Sequence, residues 1–155
     1  MSDKELVTRI AAAIESTAEA LVGVLDAARL AQVPAVPPAQ LRVLAIVAGN
    51  RHTNMSRLAE ALDVVPSSAS RLCDRLEATG LLRRVPDPRD RREVRLLLTP
   101  SARHLLDDLR TRRRDALATV LERMTPAARE DLVRALRAFQ AATGEDEAAD
   151  GLRTA

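Results

Sequence analysis

The densest chemistry in this 155-residue chain lies in RRVPDPRDRREVRLLLT, residues 83–99. Six arginines (Arg83, Arg84, Arg89, Arg91, Arg92 and Arg95) stand there against three acids (Asp87, Asp90 and Glu93), a local +3 where the whole chain carries +2. Guanidinium groups gathered around prolines, on a stretch too polar to bury, suit contact with an anionic surface such as a phosphate backbone. A second set lies just upstream in PSSASRLCDR, residues 66–75, where Ser67, Ser68, Ser70, Arg71 and Arg75 interleave with apolar positions. Hydroxyls and a helix N-terminus bond phosphate oxygens, and arginine contacts either phosphate or the O6/N7 edge of guanine. The bland alternative for each set is a solvated polar surface. Their adjacency favours contact with DNA.

Such side chains need a scaffold, and the apolar pattern supplies one. Leu6, Ile10, Ile14, Leu21, Leu25 and Ala28 fall on one face of a long amphipathic helix that ends near VPAVPP, where Pro34, Pro37 and Pro38 remove donors. A second helix starts at Pro38 or Ala39, with Leu41, Leu44, Ala45 and Ala48 inward, and stops at Gly49 and Asn50. Two short helices follow. The first, MSRLAEAL, is capped by Asn54 and turns Leu58, Ala59 and Leu62 inward; the second opens with Pro66, buries Ala69, Leu72, Cys73 and Leu76, and stops at Gly80. Asp63 takes a left-handed conformation in the turn between them. Two helices joined so tightly read as helix-turn-helix.

After Gly80 the period changes. LLRRV is strand-like, and EVRLLL sets Val94, Leu96 and Leu98 on one face and Arg95 and Leu97 on the other, so the prolines, acids and arginines between form the exposed tip of a hairpin. Helices resume at Ser101 with Leu105, Leu106, Leu109, Ala116, Leu117, Val120, Leu121 and Met124 on an apolar face. Thr125 caps a last helix, with Pro126 in its first turn and Leu132, Val133, Leu136 and Phe139 at helical spacing. The expected fold is mainly α with a small β-hairpin wing.

Composition narrows the classes further. The lone Cys73 forms no internal disulfide, MSDKELVTRI lacks the pattern of an export signal, and no apolar run approaches the roughly 18 residues of a membrane span. A cytoplasmic protein is expected, with no membrane partner. Five glycines, no glycine-rich phosphate loop and no Ser/His/acid set at a recognisable spacing argue against an enzyme. His52 and His104 lack ligand-type neighbours in a metal spacing, so no metal or other cofactor is expected. Cys73, among inward positions, reads as structural rather than as a redox sensor.

The run from VPPAQLRVL through MSRLAEALDVVPSSASRLCDRLEATGLLRRVPDPRDRREVRLLLT resembles the winged-helix core of the MarR family of bacterial transcription regulators, over residues 36–99. The wing carries the most specific part: DPRDRR, an apolar strand and LT resemble the family's D-x-R element. RLCDRLEATGLL resembles its recognition helix and exit, PPAQLRVL its approach helix, and MTPAAREDLVRALRAF its final helix. Two positions depart from the pattern, Ala102 where glycine often follows LT and Val65 where a polar cap is common.

The resemblance implies a recognition helix over 66–79 in the major groove and an arginine wing over 84–95 in the minor groove. An arginine at the wing tip enters the groove and an acid orients it, which falls on Arg92 and Asp90. The DNA-contacting set is then Ser67, Ser68, Ser70, Arg71, Arg75, Arg89, Asp90, Arg91 and Arg92. It further implies a single domain over 1–145, with dimerisation helices over 3–32 and 101–143 and a disordered tail over 144–155. Helices so apolar at both ends independently call for a partner surface, the alternative being that they pack on each other within one chain. The partners are double-stranded DNA bearing a palindromic operator, a second copy of the chain and a small-molecule inducer. One phenylalanine and no tyrosine or tryptophan supply an aromatic pocket thinly. The function implied is a repressor of its own or a nearby promoter; the alternatives are an activator without ligand response and a winged helix that binds only protein.

Overall fold

The computed structural model describes residues 2–31, 35–88, 90 and 92–143. Six helices and one hairpin follow in order: α1 (Asp3–Leu30), α2 (Pro38–Gly49), α3 (Met55–Leu62), α4 (Pro66–Ala78), β1 (Leu82–Pro86), β2 (Val94–Leu98), α5 (Pro100–Leu121) and α6 (Pro126–Ala142). They divide into two compact units, Met1–Arg114 and Asp115–Ala155, with the boundary inside α5. Pro34 and the tail over 144–155 lie outside the described residues.

Local chemistry sets most of the element ends. Ser2 and Glu5 form a reciprocal capping box on α1. The Asn54 side chain accepts from the Arg57 amide at 2.9 Å at the start of α3, and Thr125 does the same for Ala128 at the start of α6. Asp63 ends α3 at φ 54°, the left-handed value its short polar side chain tolerates. Gly80, at φ 72°, lets the chain leave α4 while the Leu81 amide still reaches the Leu76 carbonyl at 2.8 Å. At Val65 the helix start has no side-chain cap, and Pro66 alone sets the first turn of α4.

One apolar core in the first unit holds α2, α3, α4 and the hairpin together with the first half of α5. Leu44, Leu58 and Leu76 are fully buried, and each is worth about 2 kcal/mol in removed apolar surface. Ala102 is likewise fully buried, and its amide donates to the Thr99 hydroxyl, which in turn donates to the Gly80 carbonyl at 2.8 Å. Alanine at this position therefore fits the start of α5.

The inward face of α2 differs from the expected one. Gln40, Leu41, Val43, Leu44 and Val47 are buried, while Ala45 and Ala48 are exposed. The helix is apolar almost all round, so periodicity offers little contrast, and the larger valines take the core positions. In the hairpin, β1 and β2 pair antiparallel from Leu82↔Leu98 to Pro86↔Val94. Leu96 and Leu98 face the core as expected, whereas Val94, at the open end, is 38% exposed.

The terminal helices are covered far less. Only Ala28 is buried in α1 and nothing is buried in α6. Ile10 and Ile14 in α1, and Leu136 and Phe139 in α6, remain exposed. None of the helices among the described residues is long and apolar enough to cross a membrane.

Candidate nucleic-acid interface

The outward face of α4 follows from its inward one. With Ala69, Cys73 and Leu76 buried, helical geometry turns Ser67, Arg71 and Arg75 to solvent, and all three are exposed. Ser68 and Ser70 are half-buried. Ser70 is already engaged: its hydroxyl and its carbonyl oxygen accept from the Arg84 guanidinium at 3.4 and 3.3 Å. It is therefore part of an internal network, with its hydroxyl oxygen turned to Arg84.

Arg84 is the centre of that network. One guanidinium nitrogen donates to Asp74 at 2.7 Å and also to Glu77, while the Arg84 backbone N–H donates to the other Glu77 oxygen at 3.1 Å. Burial alone would lower the pKa of this guanidinium, but the Asp74 hydrogen bond and the charges of Glu77 and Asp74 raise it above its ordinary value. Strand alternation contains the signal: Leu82 is buried, Arg83 is exposed, and Arg84 returns to the side of Leu82. Asp74 and Glu77 complete a stripe with Ser70 on α4. Sequence reading missed both acids and counted Arg84 in the cationic wing.

Arg95, the last arginine of that wing, also turns inward. It pairs with Asp87 at 3.7 Å and donates to the Arg51 carbonyl at 3.0 Å. The segment before α3 joins the hairpin here, since the Leu96 amide donates to the Thr53 carbonyl at 2.9 Å and Asn54 bridges Arg95. Asn54 thus has a second task beyond its cap: its side-chain amide donates to Glu93 at 3.1 Å. The wing is laced to the segment before α3 by polar contacts that cross about forty residues of sequence, a distance over which no local pattern shows them.

At the tip, the Asp90 carboxylate accepts from the Arg92 backbone N–H at 2.9 Å, an Asx-type turn, and the Asp90 carbonyl accepts from the Glu93 amide at 2.9 Å. Asp90 therefore shapes the turn that carries Arg92 by holding its backbone. The Arg92 side chain is exposed, as is that of Arg83. Arg89 and Arg91 lie outside the described residues. The described surface thus presents Arg71 and Arg75 from a helix that Arg84 ties to β1, and Arg92 from a turn that Asp90 braces.

Cys73 lies on the opposite, packed side of α4, fully buried. Burial first, then the charges of Asp74 and Glu77, push its thiol up to about 11 against a partial pull from Arg84. The thiol is protonated and unreactive at neutral pH. Among the described residues no group of three or more His, Cys, Asp or Glu side chains is arranged to hold a metal ion.

The chain is similar to known proteins in sequence and in fold. A model of the MarR family fits residues 36–93, the segment from before α2 through the wing tip. The HTH-type transcriptional repressor MdtR of Bacillus subtilis is 33% identical over 90 residues, 58% of this chain and 58% of that protein, so the match spans little more than half of the curated relative. The crystal structure of RV1404 from Mycobacterium tuberculosis superposes with a TM-score of 0.78 at 32% identity, covering 93% of this chain and 96% of the other. A MarR family protein from Bacillus stearothermophilus has the same fold at 20% identity, with a TM-score of 0.78 over 93% and 99% of the two chains.

Proposed function

This chain belongs to the MarR family, and from that premise we propose that it is a dimeric, sequence-specific DNA-binding transcriptional regulator, a cytoplasmic repressor and not an enzyme. The observation that carries the reading is the pairing of exposed Arg71 and Arg75 on a well-packed α4 with exposed Arg92 on a turn braced by Asp90. A helix of this kind docks in the major groove while a cationic tip beside it reaches the minor groove, where negative potential is concentrated.

Dimerisation is supported by the open apolar faces of α1 and α6, which expose Ile10, Ile14, Leu136 and Phe139. A two-fold dimer reads two half-sites about one helical turn apart, hence a palindromic operator. Repression accords with the repressor among the relatives, and relief by a small-molecule inducer rests on the family alone.

Arg92→Ala tests the reading at its most exposed point. Affinity for the operator is expected to fall more than about tenfold, the worth of one well-placed arginine contact, with the dimer intact by sedimentation. Unchanged affinity would remove the wing from the interface. A winged helix serving only a protein partner would tolerate loss of the charge altogether.

A further inference from the structure

Arg84 commits its side chain to a single stripe of the neighbouring helix. It rises from the middle of β1 and bonds α4 at Ser70, Asp74 and Glu77, positions spaced four and three apart over two turns. Its side chain is 26% exposed, and Glu77 is 31% exposed. The apolar contact beneath α4 is made in part by small side chains, Ala69 and Cys73, and such packing is non-directional. Guanidinium hydrogen bonds are directional, with donors in a fixed planar fork.

We infer that Arg84 is a positioning residue, which fixes the rotation of α4 about its own axis relative to the wing and thereby sets which side chains reach the bases. Arg71 and Arg75 each lie one residue beyond Ser70 and Asp74. Successive helical residues stand about 100° apart, so holding the Ser70–Asp74–Glu77 stripe also holds the direction of both arginines. With both terminal guanidinium nitrogens engaged on α4, Arg84 acts on the helix and not as a phosphate contact, although it belongs by sequence to the arginine-rich wing.

The consequence for DNA rests on the proposed function, whereas the clasp itself does not, and the experiment keeps them apart. Full-length Arg84→Met and Arg84→Lys are compared with wild type on an operator selected from random duplexes and on unrelated duplex DNA, across a salt series. Arg84→Met is expected to weaken operator binding roughly tenfold, to change binding to unrelated DNA by less than about twofold, and to leave the salt slope unchanged. Arg84→Lys, which keeps one charge without the fork, recovers part of the loss. Equal loss on both DNAs, with a salt slope reduced by about one, would make Arg84 a phosphate contact and overturn the inference.

A second arm needs no DNA. Nitroxide labels at Ser67→Cys and Arg92→Cys, in a Cys73→Ala background, report the distance between α4 and the wing tip. Arg84→Met is expected to broaden that distance distribution, and an unchanged distribution overturns the inference even where wild type proves not to bind DNA. Should Arg84→Met fail to fold, Asp74→Ala removes one acceptor of the clasp and must lower the operator-to-unrelated affinity ratio; an unchanged ratio is equally fatal.

Discussion

In α3 and α4 Leu58 and Leu76 expose nothing and Leu62 is buried, with Leu72, expected inward, half-buried against them; in α1 and α6 Ile14 keeps 49% and Phe139 59% of its surface open. Both regions are built from the same amphipathic pattern. The winged-helix core closes that pattern on itself within one chain and adds directional polar ties, Arg84 to α4 and Asn54 to the wing. The terminal helices leave their stripes exposed. Periodicity thus reveals that a face is apolar, and only packing reveals what the face is for.

The sharpest way to break this contrast is to truncate one side chain in each region. Leu58→Ala should cost about 2–5 kcal/mol of unfolding free energy, since it leaves a cavity in a close-packed site. Ile14→Ala, measured by denaturant at a dilution where chains are separate, should stay within about 0.5 kcal/mol of wild type, as exposed substitutions do. The same Ile14→Ala should weaken self-association in sedimentation at micromolar protein. Equal destabilisation by both variants would mean that α1 is a core element of the single chain.

A smaller effect probes the buried side of α4 through pH. Cys73 ionises at about 11 in the folded chain against 9.0 as the ordinary value. The folded state therefore holds the proton more tightly than the unfolded one. Below pH 9 the thiol is neutral in both states and stability is unaffected; between pH 9 and 11 the unfolded chain gains by losing the proton, and stability falls by at most about 2–3 kcal/mol. The window is unusually clean, because the chain has no tyrosine and Lys4 as its one lysine. Denaturant curves from pH 8 to 11 should show this decline in wild type and lose most of it in Cys73→Ala. A flat wild-type profile would mean that Cys73 is reached by water in solution.

The helix-turn-helix was legible because its punctuation is local: Asn54 caps, Asp63 turns left-handed, Pro66 opens and Gly80 releases. The hairpin was legible from its change of period. The inward face of α2 was not, since leucine, valine, isoleucine and alanine surround the helix and only volume decides which are buried. Within the candidate interface the arginines of 83–99 looked equivalent by type. Arg84 and Arg95 turn inward through partners ten or more residues away, Asp74 on α4 and the Arg51 carbonyl, whereas Arg83 and Arg92 stay exposed. Ser70 was read as outward because hydroxyls near a helix start suit phosphate, and it is half-buried because Arg84 claims it. Asp90 was assigned to orient Arg92 and meets it through the backbone N–H, a short-range contact that the D-x-R spacing allows.

The central claim, that the covered core presents a DNA-reading surface while the open helices pair two copies of it, is tested most directly by footprinting the purified protein. The target is DNA flanking its own gene together with duplexes selected from a random pool, at two salt concentrations. A protected palindrome is expected, with half-sites about one helical turn apart and affinity that falls steeply as salt rises because phosphate contacts release counterions. Absence of protection on any duplex at low salt would contradict it and leave the winged helix to a protein partner.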